Sequence, residues 1–180
     1  MSGDTIARVK LKDGKEASIS FLSKKDSTAE LLKFINRIIA EKAYLFQNKK
    51  FTLVQEEEWK AAELEKYRRG EGFQLIARVD GKIAGSSGAG REMWKGSGNI
   101  LIGIAIAKPF RRLGLGELLI SINIKTAKKL FRPKNIYLSV LRANKPAHSL
   151  YKKLGFKEFA VFPKWMNHYG KYIDQIFMKI

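Results

Sequence analysis

The order of elements along this chain predicts an α+β fold with one mixed, mostly antiparallel sheet. Three observations carry that prediction. Short apolar-polar alternations meet at Asp13-Gly14 and Asp80-Gly81, both hairpin signals. Two helical patterns lie between these hairpins. Two apolar runs, Ile100–Ala107 and Ile136–Leu141, are separated by a third helical pattern. A helix crossover makes the strands it joins parallel.

Residues 5–11 alternate weakly, and Ala17–Leu22 returns from the Asp13-Gly14 turn with Ile19 and Phe21 on one face. Leu31, Leu32, Ile35, Ile38 and Ile39 recur at three- and four-residue spacing, so 27–41 reads as an amphipathic helix. The stretch 43–51, with Tyr44, Phe46 and Phe51, is a connection. Gln55–Arg69 is a second helix whose early Glu56, Glu57 and Glu58 suit its positive end. Phe73–Val79 and Lys82–Gly90 form the second hairpin, and 91–98 is a polar loop. The run 100–107 is a strand, and the turn at Lys108-Pro109 leads into a helix carrying Leu115, Leu118, Leu119, Ile122 and Leu130. After strand 136–141, Asn144 caps a helix with Pro146 in its first turn, and Gly155 ends it. Strand 156–162, a loop 164–170 holding Trp165, His168 and Tyr169, and strand 172–180 complete the chain. No linker or repeat interrupts this order, and residues 1–180 read as one domain.

The composition narrows the function classes. With 45% hydrophobic residues and eleven Phe, the chain is suited to a packed core rather than disorder. The absence of cysteine excludes disulfides, thiolate metal ligands and a thiol nucleophile, and two histidines make a poor metal set, so no metal is expected. No apolar run approaches the roughly 18 residues of a membrane span, and the first residues lack a leader pattern, so a cytoplasmic protein without a membrane partner is expected. The formal net charge of +18 attracts phosphate-bearing ligands. It would equally serve nonspecific nucleic-acid binding, although no nucleic-acid-binding motif accompanies it.

The chemistry concentrates where strand 100–107 passes into the following helix. Arg111-Arg112-Leu113-Gly114-Leu115-Gly116 places two glycines and two cations at a helix start. Unpaired amides and the positive end of the helix dipole make such a start a phosphate site. The spacing fits neither the dinucleotide fingerprint nor a Walker loop. A second signature follows the next strand: Asn144, Ala147, Leu150, Tyr151, Gly155 and Phe156, in the pattern N-x-x-A-x-x-L-Y-x-x-x-G-F.

Together and in this order, the two motifs resemble the GCN5-related N-acetyltransferase family over about residues 15–180. The resemblance implies an α/β/α-layered acyl-CoA N-acyltransferase fold in which two central parallel strands splay apart to admit the pantetheine arm of acetyl-CoA. It implies that the arm pairs with the backbone of Ile104, Ala105 and Ile106. The pyrophosphate would rest on the loop Arg112, Leu113, Gly114, Leu115 and Gly116, with Arg111 or Arg112 adding charge, and Asn144 would lie near the thiol. The family pattern has glycine where Arg112 stands. Tyr151 falls at the position of the general acid, and a backbone N–H near Ile104–Ile106 could hold the oxyanion. For the base, the central strand offers no acid. Glu92 is the first candidate, by its position in the preceding loop; His168, Asp174 or a water chain are the others. The expected activity is direct acetyl transfer from acetyl-CoA to a primary amine of a small molecule, the aromatic stretches 44–51 and 165–169 serving as walls. The alternatives are a protein N-terminus or lysine as acceptor, or a non-catalytic acyl-CoA- or nucleic-acid-binding module. Either a monomer or a homodimer, paired through the exposed edge of the terminal strand 172–180, fits this reading.

Overall fold

The computed structural model describes Gly3 and residues 5–180. Eight strands and four α-helices alternate as β1 (Thr5–Lys10), β2 (Glu16–Phe21), α1 (Thr28–Ala40), α2 (Leu53–Arg68), β3 (Gly72–Val79), β4 (Lys82–Arg91), β5 (Asn99–Ile106), α3 (Leu115–Phe131), β6 (Asn135–Leu141), α4 (Lys145–Lys153), β7 (Lys157–His168) and β8 (Lys171–Lys179). The strands form one sheet in the order β1-β2-β3-β4-β5-β6-β8-β7. Every neighbouring pair is antiparallel except β5 and β6.

The local signals explain the elements. Ser27 caps α1 by accepting from the Glu30 N–H, and Leu31, Phe34, Ile38 and Ile39 form the buried stripe. Thr52 and Gln55 close a capping box that starts α2 two residues before the sequence pattern does. Asp80 and Gly81 both take positive φ, as a tight two-residue hairpin requires. Two apolar layers flank the sheet. Leu115, Leu119, Ile120 and Tyr151 pack over Ile100, Ile102, Ile136 and Leu138, while α1 closes over Leu22, Ile76 and Ala107 on the other face.

Three sequence expectations change. The terminal strand, β8, lies between β6 and β7 and is paired on both sides, so it offers no free edge for a homodimer. The apolar pattern of α3 includes Leu130, which is exposed, whereas the polar Asn123 is fully buried. The Asn123 amide donates to Ser87 Oγ and to the Gly88 carbonyl, and Ser87 donates to the Gly103 carbonyl, so a polar link anchors α3 to β4 and β5. The expected loop 164–170 is mostly strand. β7 continues to His168, pairing Met166 with Ile173 and His168 with Lys171, and the turn is confined to Tyr169-Gly170. An irregularity after Phe162, with Lys164 at positive φ, hides that continuity in the sequence.

Candidate active site

The parallel pair is the centre of the site. β5 and β6 share register only from Asn99↔Asn135 to Leu101↔Tyr137. Beyond that point β5 stays with β4 up to Ile106↔Gly85, and β6 stays with β8 up to Leu141↔Gln175. Two strands that begin paired and then each follow an outer neighbour leave a wedge between them.

Strand parity decides which backbone groups line this wedge. The Ala107 N–H donates to Ala84, on β4. Because alternate residues of a strand bond to alternate sides, Ala105 and Gly103 also turn their backbone toward β4, and Ile104 and Ile106 turn theirs toward the gap. The Ile106 carbonyl already accepts from Arg111 Nε at 2.9 Å. Of the three residues expected to meet the pantetheine arm, Ile104 therefore has both its N–H and its C=O available, Ala105 faces the sheet, and Ile106 is partly engaged.

The loop at the end of β5 is a built cradle. Gly114 sits at φ 87° as the N-cap of α3, and the first helical hydrogen bond runs from the Leu118 N–H to Gly114. Among the described residues, the N–H groups of Gly114, Leu115, Gly116 and Glu117 have no protein acceptor. Such a run at the start of a 17-residue helix is an anion site. A methyl group built on Gly116 would make only ordinary contacts, 3.5 Å from Leu150 and 3.8 Å from Ile106. Packing does not demand glycine there, whereas close approach of a ligand to the backbone does. The residues present thus fit the pyrophosphate of a CoA thioester.

The two arginines part company. Arg111 is spent on structure, its Nη2 2.8 Å from Glu41 Oε2 at the end of α1. Arg112 is exposed and takes φ 67°, the left-handed conformation for which glycine is the ordinary residue. The backbone path of the loop is kept, with arginine tolerating the strain. Lys12, which sequence reasoning missed, reaches the same loop: its N–H donates to the Leu113 carbonyl, and its stem lies 3.8 Å from a methyl built on Gly114. Only the β1–β2 hairpin brings it there, so no local signal could have marked it.

The second motif lies on α4, at the same edge of the sheet. Asn144 caps the helix by accepting from the Ala147 N–H, which leaves its amide donors free. Tyr151 is buried against Phe156, and burial pushes its hydroxyl up to about 12. No acceptor among the described residues takes its proton.

The three base candidates do not converge. The Glu92 carboxylate accepts from the Tyr137 hydroxyl, on the last residue of β6 paired with β5, so this acid touches the point where the strands part. Burial and the Glu92 contact both raise the Tyr137 pKa. Sequence reasoning missed Tyr137 as the partner of Glu92; its place opposite the core-facing Ile136 and Leu138 was the available signal. His168 stands instead at the hairpin tip, its ring 4.9 Å from that of Tyr44. Asp174 is held by the Lys164 N–H and by Arg142, which together lower its pKa.

The two aromatic stretches meet. Tyr169 donates to the Ile39 carbonyl at 3.0 Å, and Asn48 donates to the Asn167 carbonyl at 2.7 Å. The tip of the β7–β8 hairpin is thereby tied to the α1–α2 connection. It bridges from the outer edge of the sheet toward α1, across the side on which β5 and β6 part.

A parallel strand pair that opens into a wedge, followed by unpaired amides at the start of α3, is the arrangement expected of an acyl-CoA N-acyltransferase. The family model described as Acetyltransferase (GNAT) family matches residues 39–156, and the chain belongs to that family. It is similar to an N-alpha-acetyltransferase of Sulfurisphaera tokodaii, 35% identical over 106 residues. It is also similar to one of Sulfolobus acidocaldarius, 38% identical over 69 residues. The first match covers 53% of this chain and 60% of the relative, the second 38% and 39%, so each spans under two thirds of the relative's length. Among solved structures, a GNAT-family acetyltransferase from Streptococcus pneumoniae superposes with TM-score 0.78 at 26% identity, covering 91% of this chain and 98% of that one. A Salmonella typhimurium protein solved with its cofactor acetyl-CoA gives 0.79 at 19% identity, covering 91% and 92%, and shares the fold.

Proposed function

We propose that this acetyltransferase moves an acetyl group from acetyl-CoA directly to a primary amine presented end-on, the α-amine of a peptide or protein N-terminus. The observation that carries this reading is the tied rim. With Tyr169 bonded to Ile39 and Asn48 to Asn167, a polypeptide running through the site would have to part the hairpin from the α1–α2 connection, whereas a chain end need not. The relatives named N-alpha-acetyltransferase support the same acceptor class.

In this reading the unpaired amides of Gly114–Glu117, with Arg112 and Lys12 beside them, hold the pyrophosphate. The Ile104 N–H steadies the carbonyl oxygen as charge develops on it. Tyr151 keeps its proton throughout the neutral range and delivers it to the departing sulfur. Glu92, through Tyr137 or an intervening water, takes the proton that the acceptor ammonium must lose before the neutral amine attacks the thioester carbonyl.

The aromatic walls also favour a second reading, a small-molecule amine. One assay separates the acceptors: purified protein and acetyl-CoA, with short peptides bearing a free α-amine, the same peptides N-terminally blocked but carrying an internal lysine, and small primary amines. Turnover of the free peptides alone is the expected result. Faster turnover of the blocked peptides or of the small amines would overturn the proposal. As a check on the rim, combining Tyr169→Phe with Asn48→Ala removes two hydrogen bonds and should raise acceptor KM about tenfold.

A further inference from the structure

The sheet edge opposite the cofactor loop carries a second surface that acetyl transfer does not use. α3 runs back along β5, so its lysine-rich last turn returns to the level where β4 ends and β5 and β6 begin. Arg91 donates to the Phe131 carbonyl and lies over the Phe131 ring, and the Lys134 N–H donates to Gly98. The β4–β5 loop and the α3–β6 turn are therefore one continuous surface. Arg91, Lys95, Lys128, Lys129, Arg132 and Lys134 are all exposed on it. None of them is ion-paired with a carboxylate among the described residues.

Trp94 stands on the same loop, next to Lys95 and three residues from Arg91. It is 85% exposed, on a single 3₁₀ turn, at φ 50°. A tryptophan normally contributes large apolar area to a core. Here it adopts a conformation unfavourable for any side chain but glycine and is raised into solvent. Lys128 and Lys129 also complement the negative end of α3, but that role explains neither Lys95, nor Lys134, nor the position of the indole.

We infer that this edge docks a single-stranded nucleic acid segment, its phosphates on the lysines and arginines and an unpaired base stacked on Trp94. Strands of this kind are held by a basic track combined with an aromatic platform, and the indole face accepts any base. An anionic membrane would call for a continuous apolar wedge, whereas here the exposed apolar side chains are divided between Met93 beside Trp94 and Leu130 on the last turn of α3, with Gly96, Ser97 and Gly98 among the cations. The surface is separate from the acetyl-CoA loop, so the two ligands bind together.

The test is fluorescence anisotropy of a labelled, mixed-sequence single-stranded RNA of about 16 nucleotides, titrated with the full chain at several salt concentrations. The inference requires that Trp94→Ala weaken binding about tenfold and that Trp94→Phe restore most of it. It also requires that Lys128→Glu combined with Lys134→Glu flatten the salt dependence, and that saturating acetyl-CoA leave binding unchanged. An unaffected Trp94→Ala variant would overturn it, as would displacement of the RNA by acetyl-CoA, which moves the site to the cofactor loop. Trp94-dependent binding to phosphatidylserine vesicles without binding to RNA would overturn it in favour of a membrane.

Discussion

The proposed cofactor edge and the proposed acceptor face meet at the same wedge, yet they are made of different materials. The proposed cofactor edge is backbone: unpaired amides at the start of α3 and the open groups of Ile104. The proposed acceptor face is side chains drawn from distant elements, with Glu92 touching Tyr137, Tyr44 tilted against His168, and Tyr169 reaching Ile39. A backbone site leaves a compact trace in sequence, because it needs glycines and a helix start in fixed order. A side-chain site assembled by long-range packing leaves none. The difference predicts that the cofactor edge fails all at once under a single substitution, while the acceptor face degrades in steps.

The largest break should come from Gly116→Glu. Its added Cβ fits the space, so the fold survives, while the new carboxylate stands where the phosphates must approach the amides. Losing even one or two charge-assisted hydrogen bonds lowers acetyl-CoA affinity about 100-fold. Calorimetric titration should read that loss alongside a thermal midpoint close to the parent's. Gly114→Ala sharpens the point, because at φ 87° its cost falls on stability rather than on ligand contact. If Gly116→Glu bound acetyl-CoA like the parent, the cradle would be only a tight connection.

Tyr151→Phe tests the side chain proposed to serve both regions. It removes a hydroxyl from a buried ring and leaves the packing against Phe156 in place. The expected outcome is a fall in kcat of about 100-fold with the KM for acetyl-CoA nearly unchanged. Because burial pushes the hydroxyl up to about 12, Tyr151 stays protonated across the working range. It loses the proton only as pH rises through that value, so it should contribute no alkaline fall in kcat below about pH 11. An unchanged kcat in the phenylalanine variant would remove Tyr151 from the chemistry.

The same contrast explains how far the sequence could be read. The fold was legible because hairpin turns, helix caps and apolar periodicity are local, and the two motifs fix the crossover between β5 and β6. The helix start with its unpaired amides was legible down to Gly114 and Gly116. What was not legible depends on distance. Lys12 reaches the loop through a hairpin, and Tyr137 meets Glu92 from across a strand. Arg111 has the composition of a phosphate ligand but is drawn to Glu41 by tertiary packing. The strand through Trp165–His168 was hidden by the irregularity at Lys164, which breaks the alternation that sequence patterns rely on.

Arg112 gives the smallest effect and separates charge from conformation at the edge itself. The residue is exposed, carries a cation beside the cradle, and takes φ 67° where the family pattern has glycine. Arg112→Ala removes the charge and keeps the strained backbone; Arg112→Gly removes both. If the cation assists the phosphates from solvent, both variants should lose affinity for acetyl-CoA by the same few-fold, since an exposed charge contributes under about 1 kcal/mol. Their stabilities should then differ. Relief of a left-handed arginine favours the glycine variant by about 1 kcal/mol, partly offset by the greater freedom glycine restores to the unfolded chain. Equal midpoints with unequal affinities would mean that the Arg112 side chain steers the loop as well as charging it. That result would make the cofactor edge, like the acceptor face, partly a side-chain construction.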